Sequence, residues 1–184
     1  LEFAAGIPGT VGGAVYMNAG AYDGEIKDVL TSATILQRDD TIRTWNAEEL
    51  GLSYRTSQIS SNGAIVLDVL LSLKQGDPQV VRERVMHLLA LRKAKQPLDY
   101  PSAGSTFKRP PDNFAGALIE KAGLKGARVG DAQVSPLHAG FIINLGQATA
   151  LDVIELIHQI QSVVWEKFAI SLEPEVRIVG EDPI

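Results

Sequence analysis

The chain has 184 residues, 45% of them hydrophobic, a formal charge of -5 at pH 7 and no cysteine. This is enough chain to bury a real core in one large domain or two small ones. The acidic balance, with a pI near 5.2, argues against a general nucleic-acid binder, which needs a basic face to displace counterions. It leaves room for one anionic small molecule held by a few placed cations. Without cysteine, thiolate catalysis, disulfides and thiolate-bound zinc or iron–sulfur centres are excluded. No stretch approaches the roughly 20 apolar residues of a membrane span, so no membrane partner is expected, and the absence of cysteine fits a cytoplasmic location.

The opening Leu1-Glu2-Phe3-Ala4-Ala5-Gly6 reads as mid-domain text. A piece lacking an N-terminal part is the expectation, with a trimmed complete domain as the alternative. The glycine-dense run Gly6 to Tyr22 follows. Thr10 to Asn18 suits a short helix with its N-terminus toward an anion, and exposed backbone N–H groups there suit phosphate or a planar cofactor edge. The spacing is neither the Walker nor the dinucleotide pattern, and small residues for tight packing are the commoner reading.

Ser32 to Gln37 and Ile42 to Trp45 predict a hairpin across the polar turn Arg38 to Thr41. Asn46 is a candidate cap for a one-turn helix through Leu50. Ala64 to Lys74 is β-rich and mostly apolar, as a buried strand would be. Asp77 before Pro78 marks an N-cap with proline at the first helical position. The helix that follows places Val81, Val85, Leu88, Leu89 and Arg92 on one face, ends in the cations Arg92 to Lys95, and reads as the link between two lobes, 1–95 and 96–184. The second lobe opens with a proline-led glycine turn presenting Ser105. Asp112 or Asn113 is a candidate cap for a helix Phe114 to Ala122, closed by Gly123. A strand Gly140 to Leu145 comes next, then a Thr149/Asp152 capping box. Its helix carries Val153, Ile154, Ile157, Ile160, Val164 and Phe168 on one face. A last strand is expected over Val176 to Val179.

Three polar residues stand out: Arg55 in a short connector, Ser105 in its turn, and Glu175 before the last strand. His138 is a possible base for Ser105, but no G-x-S-x-G elbow surrounds that serine. The histidines His87, His138 and His158 have no metal-like spacing, and no metal site is expected. His87 and His158 read as helix-surface residues. A serine without a base is a poor nucleophile and a very weak acid, useful as a donor only toward a carbanion or enolate. Arginine can hold a carboxylate or stabilise an enolate, and a carboxyl can help settle the same charge. The trio therefore suits reduction of an activated double bond better than hydrolysis. The bland readings are a turn serine, a surface salt-bridge arginine and a solvated glutamate.

With GIPGTVGGAVYMNAGAY, YRTS, KQPLDYPSAGSTFK, FAGALIEKAGLKG, HAGFIINLG and LEPEVRIVG in this order, the chain resembles the UDP-N-acetylenolpyruvoylglucosamine reductases, flavoenzymes of bacterial peptidoglycan precursor synthesis, in their shorter type. The resemblance implies an α+β fold: the C-terminal part of a vanillyl-alcohol-oxidase-type FAD-binding lobe, then a small α/β substrate-binding lobe. It implies NADPH as co-substrate, FAD as cofactor, and the enolpyruvyl ether of UDP-N-acetylglucosamine as substrate. Ser105 matches the family's proton donor, and Arg55 and Glu175 its other catalytic residues. Lys95 matches a substrate-binding lysine, His138 occupies a position where some members use Gln for substrate, and Tyr22 and Arg92 match positions near flavin or substrate. The flavin wall would include Gly6, Ile7, Pro8, Gly9, Thr10, Gly12, Gly13, Ala14, Asn18, Gly20 and Ala21, with Arg92. The sequence departs from the family at Arg109, commonly Asn, and at Asp23, usually Gly. The family's N-terminal lobe, with a Gly-Ser-Asn loop for the flavin pyrophosphate, is not part of the chain. A non-catalytic UDP-sugar binding module and a flavin oxidase of the same superfamily are the alternatives.

Overall fold

A computed structural model of the chain describes residues 1–180; residues 181–184, the end of the second expected lobe, lie outside it. The described chain forms two compact units, divided after Arg92.

The first unit begins with a 3-10 turn at Glu2–Ala4 and helix α1 (Val11–Tyr16), whose N-cap Thr10 accepts the Gly13 N–H at 3.0 Å. Strands β1 (Gly20–Ala21) and β2 (Gly24–Glu25) pair through the two-residue loop Tyr22–Asp23. Both loop residues have positive φ, 50° and 64°, the backbone of a type I′ hairpin turn. Asp23 thus occupies a position where glycine is favoured and aspartate is tolerated.

β3 (Leu30–Leu36) is the centre of an antiparallel sheet ordered β4-β3-β5, with β4 (Ile42–Asn46) and β5 (Ile65–Leu71) at its edges. The expected hairpin forms across Gln37 to Thr41. Asn46 does cap its turn, its side chain accepting the Glu49 N–H at 2.9 Å while Glu49 accepts the Asn46 N–H at 2.8 Å, but the segment stays a turn rather than a helix. Helix α2 (Gln58–Asn62) follows, with Ser57 as N-cap and Gly63 closing it at φ 69°.

The core of this unit gathers Val15, Ile26, Leu30, Ala33, Ile35, Leu50 and Ile59. β5 corrects the buried-strand expectation. Val66, Val69 and Leu71 face the core, whereas Ile65, Leu67 and Leu70 are at least half exposed. The strand is an edge with one covered face, so its apolar run is not a sign of burial on both sides. Helix α3 (Pro78–Lys95) starts as expected, Asp77 accepting the Gln79 N–H at 2.7 Å. Of its apolar stripe, Leu88 and Arg92 are buried and Val81 is exposed.

In the second unit, β6 (Ser102–Ser105), β7 (Arg128–Val129), β8 (Ala132–Val134) and β9 (Phe141–Asn144) form an antiparallel sheet ordered β6-β9-β8-β7. Helix α4 (Ala115–Lys121) and helix α5 (Ala150–Phe168) cover one face, Leu118, Ile119, Leu156, Ile157, Ile160 and Val164 meeting Val134 and Ile142. Leu156 belongs to this stripe and was not anticipated, while Val153, Ile154 and Phe168 are only partly buried.

The Thr149/Asp152 capping box forms in both directions. α4 departs from expectation at its start: Phe114, without a side-chain cap, is its N-cap rather than Asp112 or Asn113. Gly123, at φ 81°, closes it. Mixed helix and antiparallel sheet in both units make the chain α+β.

Candidate functional site

In the second unit the serine segment is a strand rather than the expected tight turn. Ser102 pairs with Ile143 and Ser105 with Phe141, so one extra residue is accommodated on β6. Gly104, at φ 83°, takes the backbone conformation this bulge requires. The bulge re-aims the exposed Ser105, which lies across the ladder from Phe141.

Its neighbour Thr106, 3% exposed, is fixed on three sides. The Thr106 N–H donates to the Gly140 carbonyl at 2.8 Å, its hydroxyl accepts the Ile142 N–H at 3.2 Å, and its carbonyl accepts the Glu175 N–H at 2.8 Å. One residue thus holds Ser105 and Glu175 together by backbone. The same pairing continues as Lys108 N–H to the Glu173 carbonyl at 2.8 Å, with an ion pair between those two side chains. Phe107 faces Pro174 at the non-hydrogen-bonded position between them, where a missing N–H costs nothing. This corrects the expected last strand: the pairing lies at Glu173 to Glu175, around the proline, while Ile178 and Val179 are exposed. Glu175 is half-buried.

His138 is half-buried between β8 and β9. Its Nδ1 accepts the Gly140 N–H at 3.1 Å, and its ring meets Phe141 edge-on at 5.0 Å. Burial pushes its pKa below the ordinary histidine value and Lys125 adds to this, while a hydrogen bond with its own backbone and the Glu120 carboxylate oppose it. Lys95 is exposed on α3. The Arg109 guanidinium stacks 4.0 Å from the Phe114 ring centroid, an intra-unit contact that asparagine would not make. His87 and His158 are exposed, as expected.

In the first unit Arg55 sits at φ 54° in the turn closed by reciprocal Ser53 and Thr56 backbone bonds of 3.1 and 3.2 Å. A non-glycine residue at positive φ is uncommon and is often retained where a side chain must be aimed. Its guanidinium donates to the Gly20 carbonyl at 3.3 Å and lies 5.1 Å from the Tyr54 ring centroid.

Several of the expected flavin-wall residues meet in this unit. The Arg92 guanidinium lies 5.5 Å from the Tyr22 ring centroid. A Cβ on Gly6, whose φ is 76°, would stand 3.2 Å from the Arg92 side chain and 2.8 Å from Leu89, so only glycine fits there. Ile7 and Ala14 are partly covered, while Pro8, Gly9, Thr10 and Gly13 are exposed, Gly9 at φ 153° with open space around it. Gly12 packs on Val66, 3.5 Å from a would-be Cβ. Gly20 and Ala21 form β1.

Asn18 has a different place. It is fully buried at φ 44°, donates to Glu25 at 2.6 Å and the Ser53 carbonyl at 3.2 Å, and accepts the Lys27 N–H at 3.0 Å. Its amide is committed inside the unit, tying α1, the β2 region and the Arg55 turn. The loop Gly6 to Thr10 is mostly exposed, with Gly6 and Gly9 at positive φ, a backbone that suits close approach by a flat cofactor edge; within it the Ile7 N–H is held by the Ala4 carbonyl at 3.1 Å. Sequence reasoning missed Thr106 altogether, because a buried threonine carries no signature that separates it from an exposed one.

Taken together, the two units define an α+β chain in which a bulged strand presents a serine beside a glutamate, and a glycine-rich loop lies on the other unit. Residues 96–179 match the family model described as UDP-N-acetylenolpyruvoylglucosamine reductase, C-terminal domain. The chain is 59% identical over 181 residues to the UDP-N-acetylenolpyruvoylglucosamine reductase of Latilactobacillus sakei, covering 98% of this chain and 60% of that protein. It is 56% identical to that of Lachnoclostridium phytofermentans, covering 98% of this chain and 58% of that protein. The crystal structure of UDP-N-acetylenolpyruvylglucosamine reductase from Thermus caldophilus superposes with a TM-score of 0.82 at 42% identity, covering 95% of this chain and 62% of that one. The chain belongs to the UDP-N-acetylenolpyruvoylglucosamine reductase family and spans about three fifths of the length of the relatives it matches.

Proposed function

We propose that the chain carries the substrate-reducing residues of a cytoplasmic reductase. That enzyme uses NADPH and FAD to convert the enolpyruvyl ether of UDP-N-acetylglucosamine into UDP-N-acetylmuramate. The observation that carries this reading is the Thr106 junction, which holds Ser105 beside Glu175 on a bulged strand in a chain of this family.

Reduced flavin, when bound, would supply the hydride chemistry, with Gly6 to Ala21 and Arg92 as the residues that would hold it. The chain's own task is the other half of the addition. Arg55 stabilises the negative charge that develops on the carboxylated carbon and its carboxylate. Ser105 gives its hydroxyl proton to that carbon, a transfer a weak acid makes usefully only to so basic a partner. Glu175 helps settle the same charge. Lys95, His138 and Tyr22 are assigned to the substrate, and Gly6 to Ala21 with Arg92 to the flavin; Asn18 serves that wall by shaping it from within.

Ser105→Ala in the flavin-loaded protein is expected to leave NADPH-driven bleaching of the flavin band near wild type. Single-turnover oxidation by the enolpyruvyl substrate should slow by about 10²- to 10⁴-fold, the usual worth of a positioned acid. An equal loss in both half-reactions would sink the proton-donor role. Binding of the nucleotide sugar without any turnover in the wild type would favour a binding module instead.

A further inference from the structure

The turn that carries Arg55 is tied to the end of α1 and the start of β1 at three alternate positions. Its two reciprocal backbone bonds close it from Ser53 to Thr56, and Arg55 is its third residue at φ 54°, a place where such turns favour glycine. An arginine held there needs support from outside the turn. Tyr16 ends α1, so its carbonyl has no partner within the helix; it accepts the hydroxyl of buried Ser57 at 2.7 Å. Two residues on, the amino group of fully buried Asn18 donates to the Ser53 carbonyl at 3.2 Å, and the same oxygen accepts the Thr56 N–H that closes the turn. Two further on, the Gly20 carbonyl accepts the Arg55 guanidinium at 3.3 Å.

We propose that Asn18 and Ser57 are positioning residues for Arg55, a two-point clamp on the turn that aims its guanidinium. This rests on the reading that Arg55 stabilises the charge formed in the reduction. Each clamp is one direct side-chain bond to a backbone carbonyl. The orientation of the Asn18 amide is fixed by its neighbours. Its oxygen accepts the Lys27 N–H, which can only donate, and its nitrogen faces the Glu25 carboxylate, which accepts. That leaves the second amide hydrogen for Ser53. Ser57 is held in the same way, since its oxygen also accepts the Ser60 N–H at 3.3 Å as the cap of α2.

Ser57→Ala is the gentler break, and Asn18→Gly, whose backbone suits φ 44°, the harder one. In the flavin-loaded protein, S57A is expected to slow single-turnover flavin oxidation by the enolpyruvyl substrate about three- to tenfold, and N18G roughly ten- to a hundredfold, the scale of a small misplacement of an acting group. S57T keeps the hydroxyl and should restore most of the rate. Flavin reduction by NADPH should suffer less than the substrate step in each variant. In an Arg55→Ala background, adding either substitution should change the substrate step by less than about twofold, because the clamp then has no side chain to aim. In isotope-labelled protein, the Arg55 side-chain N–H signal, identified by its loss in R55A, should shift in S57A and N18G and return in S57T.

Equal losses with and without Arg55 would overturn the proposal, since a general structural defect does not depend on that side chain. So would equal losses in the two half-reactions, an unchanged substrate step in S57A, or an Arg55 signal that stays in place. If N18G does not fold, S57A and S57T decide the matter. Absence of turnover in the wild type would sink the reductase reading alone. The Arg55 signal would then decide by itself whether Asn18 and Ser57 hold that side chain.

Discussion

Thr106 shows how much of the site depends on a residue that does no chemistry. Its hydroxyl accepts the buried Ile142 N–H, while its peptide serves Gly140 and Glu175. Thr106→Val keeps the volume and leaves that N–H without its acceptor. Urea denaturation is expected to show a loss of about 1–3 kcal/mol, the cost of an unsatisfied buried donor. Thr106→Ser keeps the hydroxyl and is expected to cost less than the valine variant. Arg55, Ser105 and Glu175 stand out in the sequence by family pattern and by chemical fit to an enolate. Their surroundings were less legible. Asn18 reads as a cofactor residue by its place in a glycine-rich run, yet three internal hydrogen bonds consume its amide, and no local pattern announces partners as distant in sequence as Ser53.

At the scale of elements, local chemistry was read well wherever a cap or turn defines itself. α5 begins at the Thr149/Asp152 box with the Thr149 hydroxyl accepting the Asp152 N–H at 3.1 Å and Asp152 accepting the Thr149 N–H at 2.8 Å. Thr149→Ala is expected to lower stability by about 1 kcal/mol, within the usual range for a lost N-cap, and Thr149→Ser to restore most of it; thermal melts of the three proteins check this. Asp77 before Pro78 and Gly123 after α4 were legible for the same reason. The misses fall where pairing across the chain overrides local pattern. The apolar run of β5 has one open face, since only Val66, Val69 and Leu71 find a core to pack on while Ile65, Leu67 and Leu70 stay exposed. The segment at Ser102 to Ser105 becomes a strand because β9 pairs with it through a glycine bulge. The strand expected at Val176 gives way to a bridge at Pro174, where the absent N–H happens to face away from the partner.

For the molecule as a whole, the acidic balance and the few displaced titrations set a pH profile of stability. The folded pKa of His138 lies below its unfolded value of about 6.5. The unfolded chain therefore binds a proton first, and this group's stabilisation is full above that value and lost as pH falls through the folded pKa. Asp39, held low mainly by hydrogen bonds from Thr41, adds an exposed and salt-sensitive contribution lost at lower pH still. Lys27, held charged by Glu25, acts in the opposite direction and matters only at high pH. Denaturation midpoints measured from pH 7.5 to 5.5 are expected to decline, with a shallower slope in His138→Asn; an unchanged slope would remove His138 as the cause.

Motif order determined the family resemblance, and through it the expected α+β class and the candidate catalytic residues, because motifs are properties of residue types in sequence. Only the tertiary structure decided that Ser105 stands on a bulged strand, that Thr106 ties it to Glu175 some seventy residues on, and that the His138 ring accepts the Gly140 N–H. Hydrogen bonds between distant backbone groups depend on which strands meet and in what register, and that is settled by the packing of the whole unit rather than by any one segment.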